Sequence, residues 1–260
     1  MTTAVQVAAA ARLAEAERTR TPIDRLTDRF ADLTIADAYE IQLLNIRQRT
    51  ARGSVVRGHK VGLSSRAMQQ MMNVDEPDYG HLLADMFVAE NTPIRAAIMC
   101  APRVEVEIAF VLREGLPAPG CTVADVLRCT AFVCPALEII DSRIRDWNLT
   151  LIDTIADNAS SGLVVLGGRA TPVANLDLRT IGAALRINGA LVATGATGAV
   201  LGNPVTAVAW LANKVAQFGV SLDAGNVILP GSCTKAYDVA AGQTVRADFD
   251  QLGAVSALFV

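Results

Sequence analysis

Histidine is almost missing from this 260-residue chain: His59 and His81 are the only two. That scarcity argues against a histidine-activated water, and it leaves few partners for a thiolate nucleophile, which normally needs a neighbouring imidazole. The five cysteines (Cys100, Cys121, Cys129, Cys134 and Cys233) are odd in number and contain no CxxC pair. Neither a zinc ribbon nor a disulfide framework is indicated, and they read as buried, unreactive thiols. No GxGxxG or Walker-type stretch opens a nucleotide site. There is no basic run, and the net charge of -3 does not steer the protein toward nucleic acid. The arginines between Arg12 and Arg29 alternate with Glu15, Glu17, Asp24 and Asp28, as on a solvated helix face. No apolar run reaches the roughly 18 residues of a membrane span. Val5–Ala11 is short and lacks the basic start of a secretory signal, so a cytoplasmic protein is expected. Repeats and low-complexity tracts are absent as well.

What is present is a globular balance, 52% apolar against 19% charged, on a chain long enough to bury a substantial core. Residues 1–50 read as helical. Val5–Thr19 is rich in Ala, Glu and Arg, and Thr34 with Asp37 three residues later makes a capping-box start for the apolar-periodic run that follows. From residue 51 onward the chain turns β-rich. Val55–Val61, Arg103–Leu112, Pro135–Asp141, Leu163–Leu166, Asn226–Leu229, Thr244–Phe249 and Val255–Phe259 read as strands. Asn188-Gly189 between Ala183–Ile187 and Leu191–Thr194 is a type I′ hairpin signal. Cys121–Cys134 and Pro204–Phe218 read as helices, the second stopped by Gly219. The expected fold is α+β: an N-terminal helical region, residues 1–50, on a β-rich domain, residues 51–260.

Three carboxylates stand out. In the alternating stretch RVEVEI, Glu105 and Glu107 share one face of a strand while Val104, Val106 and Ile108 take the other. Like charges so placed repel, unless a hard divalent cation reverses the sign. Glu138 lies in the apolar stretch PALEII, where an uncompensated charge is expensive. A metal site is one reading, and a solvated face paired with Arg103 or Arg143 is the other. Lys60, between Gly58 and Gly62, is a surface lysine or one that approaches a ligand closely. Asp78, in DEPDYG, is a turn residue or a general acid/base. His81 reads as a hydrogen-bonded structural residue. The polar run Asp153–Ser161 suits a carboxylate ligand and suits capping equally, and the loop Pro230–Thr234 offers backbone N–H groups to the same ligand.

These stretches together resemble the 2-keto-4-pentenoate hydratase and 4-oxalocrotonate decarboxylase family, within the fumarylacetoacetate hydrolase-like superfamily. The motifs are GHKVGLSS (58–65), VDEPDYG (74–80), PRVEVEI (102–108), PALEIIDSRIRDW (135–147), DTIADNAS (153–160) and LGNP (201–204). The resemblance runs from about Asp37 to the C-terminus. It implies a mixed β-sandwich or roll with a helical N-terminal part. It also implies Mg²⁺ or Mn²⁺ on Glu105, Glu107 and Glu138, with Lys60 and Asp78 catalytic. Ser160 and the backbone near Leu83 would contact a small 2-hydroxydienoate substrate. A homo-oligomer (pentamer or decamer) and a downstream aldolase partner are further implications. The activity implied is addition of water to a 2-hydroxy-2,4-dienoate in aromatic or steroid catabolism. The segment Ser142–Trp147 looks like the hydratase branch, whereas Asp141 departs from hydratases that carry Gly there. Decarboxylation of 2-oxo-3-hexenedioate is the alternative activity, and a non-catalytic partner subunit the alternative of another class.

Overall fold

A computed structural model describes residues 2–260. The chain begins with helices α1 (Ala4–Thr19), α2 (Leu26–Arg29) and α3 (Ile35–Ala51). Capping boxes open α1 at Thr3/Gln6 and α3 at Thr34/Asp37, each satisfying N–H groups that a helix start leaves without partners. The apolar stripe of α1 (Ala9, Leu13, Ala16) packs on α3, and both join the same hydrophobic core as the strands. No described helix is long and apolar enough to cross a membrane.

The rest of the chain alternates strands with short helices: β1 (Val56–Gly62), α4 (Arg66–Met72), β2 (Asp78–Leu83), β3 (Phe87–Val88), β4 (Pro93–Ile94) and β5 (Pro102–Leu112). Then come α5 (Val123–Cys129), β6 (Thr130–Asp141), α6 (Leu151–Ala156), β7 (Ser161–Leu166), β8 (Gly182–Ile187) and β9 (Ala190–Ala196). Helix α7 (Pro204–Ala216) leads to β10 (Val227–Leu229), β11 (Tyr237–Asp238), β12 (Thr244–Phe249) and β13 (Gly253–Phe259). One sheet has the order β2-β1-β10-β5-β6-β7-β3, with β11 also on β5, and the other has the order β4-β13-β12-β8-β9. Strand β3 follows β2 in the chain after only the single turn Ala84–Met86. The two ends of the larger sheet therefore meet, and the sheet curls into a roll.

Strand alternation divides the roll into an inside and an outside. On β5, Val104, Val106, Ile108 and Phe110 face outward into the main core, each contributing about 1.5–3 kcal/mol by burial. Ala109 faces inward with Ala136, Leu82, Val164 and Leu229, a separate apolar cluster that fills one end of the roll. The other end carries Glu105, Glu107 and Glu138.

Three expectations need correction. Cys121–Cys134 is not one helix: α5 ends at Cys129, and Thr130, Phe132 and Val133 pair with Leu112, Val111 and Phe110 of β5. β-branched and aromatic side chains favour the strand once a partner edge is available, and this pairing overrides local helix propensity. Asp78 is not a turn residue, because it begins β2 opposite Gly62 of β1. Lys60 is not a surface lysine, since it is only 3% exposed. The hairpin at Asn188-Gly189 forms as expected, with φ of 50° and 81°.

Candidate metal centre and active site

Register places the carboxylates. Glu105 of β5 is directly opposite Glu138 of β6, and Glu107 is opposite Ala136, two residues further along the same inner face. One oxygen from each of the three carboxylates lies within 4.8 Å of the others. Glu107 is 1% exposed and Glu138 fully buried. Among the described residues, Glu107 Oε1 and both oxygens of Glu138 have no hydrogen-bond partner. Glu107 Oε2 accepts a bond from the Gly231 N–H at 2.8 Å. The two arginines that the sequence offers as partners for this face are engaged elsewhere: Arg103 with Asp238 at 2.8 Å and Arg143 with Asp157 at 2.5 Å.

Burial pushes all three carboxyls up. Glu105 rises to about 7, Lys60 opposing the rise and Glu138 adding to it. Glu107 rises well above the carboxylate range, through burial and then repulsion from Glu138 and Glu105. Glu138 rises through burial, which Lys60 offsets in part. Three clustered carboxylates, two of them buried with unpartnered oxygens, are a costly arrangement unless a cation completes it. An all-oxygen donor set of this kind fits Mg²⁺ or Mn²⁺, not zinc, which prefers nitrogen and sulfur.

Lys60 of β1 projects to the same inner face. Its Nζ donates to the Ala159 carbonyl at 3.0 Å and lies 3.3 Å from Glu138 Oε1, in ion-pair range but without hydrogen-bond alignment. Burial alone would lower the Lys60 pKa, but Glu138, Glu105, Asp78 and Glu107 outweigh it and hold the ammonium charged. Asp78 lies beside Gly62, where a Cβ would collide with its carboxylate, so only glycine leaves room at that position. Asp78 Oδ2 accepts from Thr154 Oγ1 at 3.3 Å, and Oδ1 has no partner among the described residues. Burial raises the Asp78 carboxyl above its usual range, against the pull of Lys60.

Lys60, Asp78 and Glu105 line a cavity of about 530 Å³ together with Ser160 and Thr154. Ser160 is 3% exposed, and its Oγ is another orphan among the described residues. It ends an unusual turn: Asn158, Ala159 and Ser160 have φ of 55°, 50° and 54° in succession. The left-handed region costs L-residues on the order of 1–2 kcal/mol each, Asn being among the tolerant ones. Strain of this kind persists only where its surroundings enforce it. The cavity's outer part is apolar (Met68, Trp147, Leu149), with two cations beside it, Arg103 and Lys235. Arg103 stacks its guanidinium 4.5 Å from the Trp147 ring centroid.

The structure brings Glu105, Glu107, Glu138, Lys60, Asp78 and Ser160 together. It does not bring Leu83 to the cavity: that side chain is buried in the apolar end of the roll, and its N–H meets Met86 Sδ at 3.3 Å. His81 is structural, its Nδ1 lying 2.9 Å from Gln42 Oε1. Asp153 caps α6 and accepts the Leu26 N–H at 2.8 Å, well apart from any ligand role. Asp141 accepts the N–H groups of Cys100 and Ala101. Burial raises the Cys233 thiol at the cavity wall to about 12, so it is no nucleophile. Thr154 and the Gly231 N–H fall within polar stretches that the sequence marks only as a whole. Nothing in residue type or spacing distinguishes either one, because both act across elements distant in the chain.

Comparisons with known proteins place the chain among its relatives. The chain is 42% identical to the 2-oxo-hept-4-ene-1,7-dioate hydratase of Escherichia coli, covering 96% of each protein. It is 41% identical to a 2-keto-4-pentenoate hydratase of Paraburkholderia xenovorans (strain LB400), over 96% of this chain and 93% of the relative. It superposes with a TM-score of 0.94 on the 4-oxalocrotonate decarboxylase from Pseudomonas putida G7 complexed with magnesium and adipate, at 38% identity over 98% of this chain and 97% of that one. The model of the fumarylacetoacetate hydrolase C-terminal family matches residues 49–260, and the chain belongs to that family.

Proposed function

We propose that this protein is a divalent-metal-dependent hydro-lyase that adds water to a 2-hydroxy-2,4-dienoate and releases a 4-hydroxy-2-oxo acid. The observation that carries the reading is the clustered trio Glu105, Glu107 and Glu138, with unpartnered oxygens on Glu107 and Glu138, and with Glu105 lining a cavity beside Lys60 and Asp78. These glutamates would hold Mg²⁺ or Mn²⁺, which supplies Lewis acidity toward the C1 carboxylate and C2 oxygen of the substrate. The reaction has two stages. The dienol loses its C2 hydroxyl proton and gains one at C5, giving an α,β-unsaturated 2-oxo acid. Water then adds at C4, with a proton going to C3.

Lys60 places a fixed positive charge where negative charge develops on the C2 oxygen, in a site that largely excludes water. Asp78, with its raised affinity for a proton and one free oxygen, takes or delivers the proton that the water addition moves. Ser160 Oγ donates to the substrate carboxylate. By resemblance the setting is aromatic or steroid catabolism in the cytoplasm, with a homo-oligomeric enzyme handing its product to an aldolase.

One observation favours a second reading, decarboxylation of a 2-oxo-3-hexenedioate. Arg103 and Lys235 stand at the outer part of the cavity, where a second carboxylate would be received. The two readings are separated by mass analysis of products from 2-hydroxypenta-2,4-dienoate and from 2-oxo-3-hexenedioate, each with Mg²⁺ and with EDTA. Metal-dependent gain of one water by the dienoate supports the hydratase. Release of CO₂ from the dioate, without hydration of the dienoate, moves the chain to the decarboxylase. Silence with both leaves a non-catalytic partner subunit.

A further inference from the structure

We infer that Asn158 is a positioning residue, whose carboxamide fastens the left-handed Asn158–Ser160 turn to β2 and so sets Lys60 and Ser160 at the cavity. The inference rests on the proposed function only for the meaning of that placement. Strand β2 is the first in its sheet's order, paired with β1 on one side. On its other side, where a further strand would bond, the His81 N–H donates to Asn158 Oδ1 at 2.7 Å, and Asn158 Nδ2 donates to the His81 carbonyl at 2.9 Å. A carboxamide offers one donor and one acceptor in a single plane, which is what a backbone edge demands. Gly80 makes the fit possible, because a Cβ there would collide with the Asn158 carbonyl and Ser161 Oγ.

The far side of the turn is held independently. Arg143 bonds Asp157 through Nε at 2.5 Å and through its own N–H at 2.9 Å, and donates to the Ser161 carbonyl at 2.9 Å. These two attachments grip the three left-handed residues from both ends. The consequence faces the cavity: Ala159 presents its carbonyl to Lys60 Nζ, and Ser160 presents an unpartnered hydroxyl. Asn158 itself does not line the cavity, so its effect passes through its neighbours. Asn also tolerates the left-handed region better than most L-residues.

The test compares Asn158→Ala, Asn158→Asp and Asn158→Gly with the wild type. Asp keeps the acceptor and loses the donor. Gly keeps the conformational freedom and loses both bonds, and it serves if the Ala variant does not fold. The expected result is a kcat at least ~10-fold lower and a KM about 5-fold higher, since small misplacements of oriented groups have effects of this size. Binding of oxalate to the Mn²⁺-loaded protein should weaken by about 5-fold, while Mn²⁺ affinity stays within about 3-fold, because the glutamates are untouched. In the metal-free protein, amide exchange should accelerate in peptides covering residues 157–161. A purely structural role would lower the amount of active protein and leave KM and oxalate affinity alone, and that outcome overturns the inference. So does unchanged exchange in the turn. If the wild type fails to hydrate any dienoate, the proposed function falls, and the oxalate and exchange measurements still decide the role of Asn158.

Discussion

Lys60 of β1 and Glu138 of β6 are separated in the sheet by β10 and β5, yet Nζ lies 3.3 Å from Oε1. A flat sheet would hold these strands about 14 Å apart, three spacings of 4.7–4.9 Å. The contact therefore depends on the curl of the roll. The same curl places a cation against three clustered carboxylates, a balance that a divalent ion in the centre would reset.

Glu107→Gln replaces a buried carboxyl that burial and its like-charged neighbours force to take up a proton in the metal-free protein. Removing that cost should make the metal-free variant melt higher than the wild type, by roughly 2–4 °C for each ~1 kcal/mol relieved. Mg²⁺ should raise the melting temperature of the wild type and leave the variant nearly unmoved. Calorimetric scans with EDTA and with Mg²⁺ check both signs. Metal-dependent turnover should vanish in the same variant.

Lys60→Met should separate binding from turnover. Loss of a positive charge beside the carboxylates should tighten divalent-ion binding, since the ammonium competes for the same field. Turnover should fall by at least ~10², the usual scale for a group that moves a proton or steadies charge. Mn²⁺ titration and steady-state kinetics on one preparation provide the comparison.

Stability should fall on acidification in a way that His81 explains. Burial pushes its pKa down from the ordinary value of 6.5 to about 4, with Asn158 opposing. Above pH 6.5 the ring is neutral in both folded and unfolded states and has no effect. Between pH 6.5 and 4 the unfolded chain binds a proton that the folded one does not, so stability drops as pH falls. The full loss is about 3 kcal/mol, because each tenfold difference in proton affinity between the two states is worth about 1.36 kcal/mol. His59, fully enclosed and beside His81, is held well below its ordinary value by burial and adds to the same trend. Denaturant unfolding of wild type and His81→Asn across this range should give curves that converge toward acid. Parallel curves contradict the assignment.

Arg103→Ala should discriminate substrates. Its guanidinium, stacked on Trp147 and paired with the exposed Asp238, is placed to meet a carboxylate at the outer part of the cavity. A charged hydrogen bond contributes about 1.5–3 kcal/mol, so kcat/KM for a seven-carbon dioate should fall by roughly 10- to 100-fold. For 2-hydroxypenta-2,4-dienoate the change should stay within a few-fold. Equal losses on both substrates would remove Arg103 from tail recognition.

Much of this site is legible without the fold, for a simple reason. Glu105 and Glu107 announce a shared face through strand periodicity, and Glu138 announces itself as a charge in an apolar run. Periodicity cannot say which strands pair, so the opposition of Glu105 to Glu138 and the reach of Lys60 are invisible in spacing. The stretch Thr130–Cys134 shows the same limit, since its strand state is decided by β5 rather than by its own residues. Asn158 is the clearest case. Its residue type suggests a turn, but its partner His81 lies 77 positions earlier.

Water addition, on this reading, requires one divalent cation held by Glu105, Glu107 and Glu138. The most direct measurement titrates Mn²⁺ into EDTA-treated protein, following bound ion by electron paramagnetic resonance and dienoate hydration in the same samples. Both should rise together and saturate at one ion per chain, and both should be lost in Glu107→Gln. Full hydration by metal-free protein, or saturation unaltered in Glu107→Gln, would contradict that requirement.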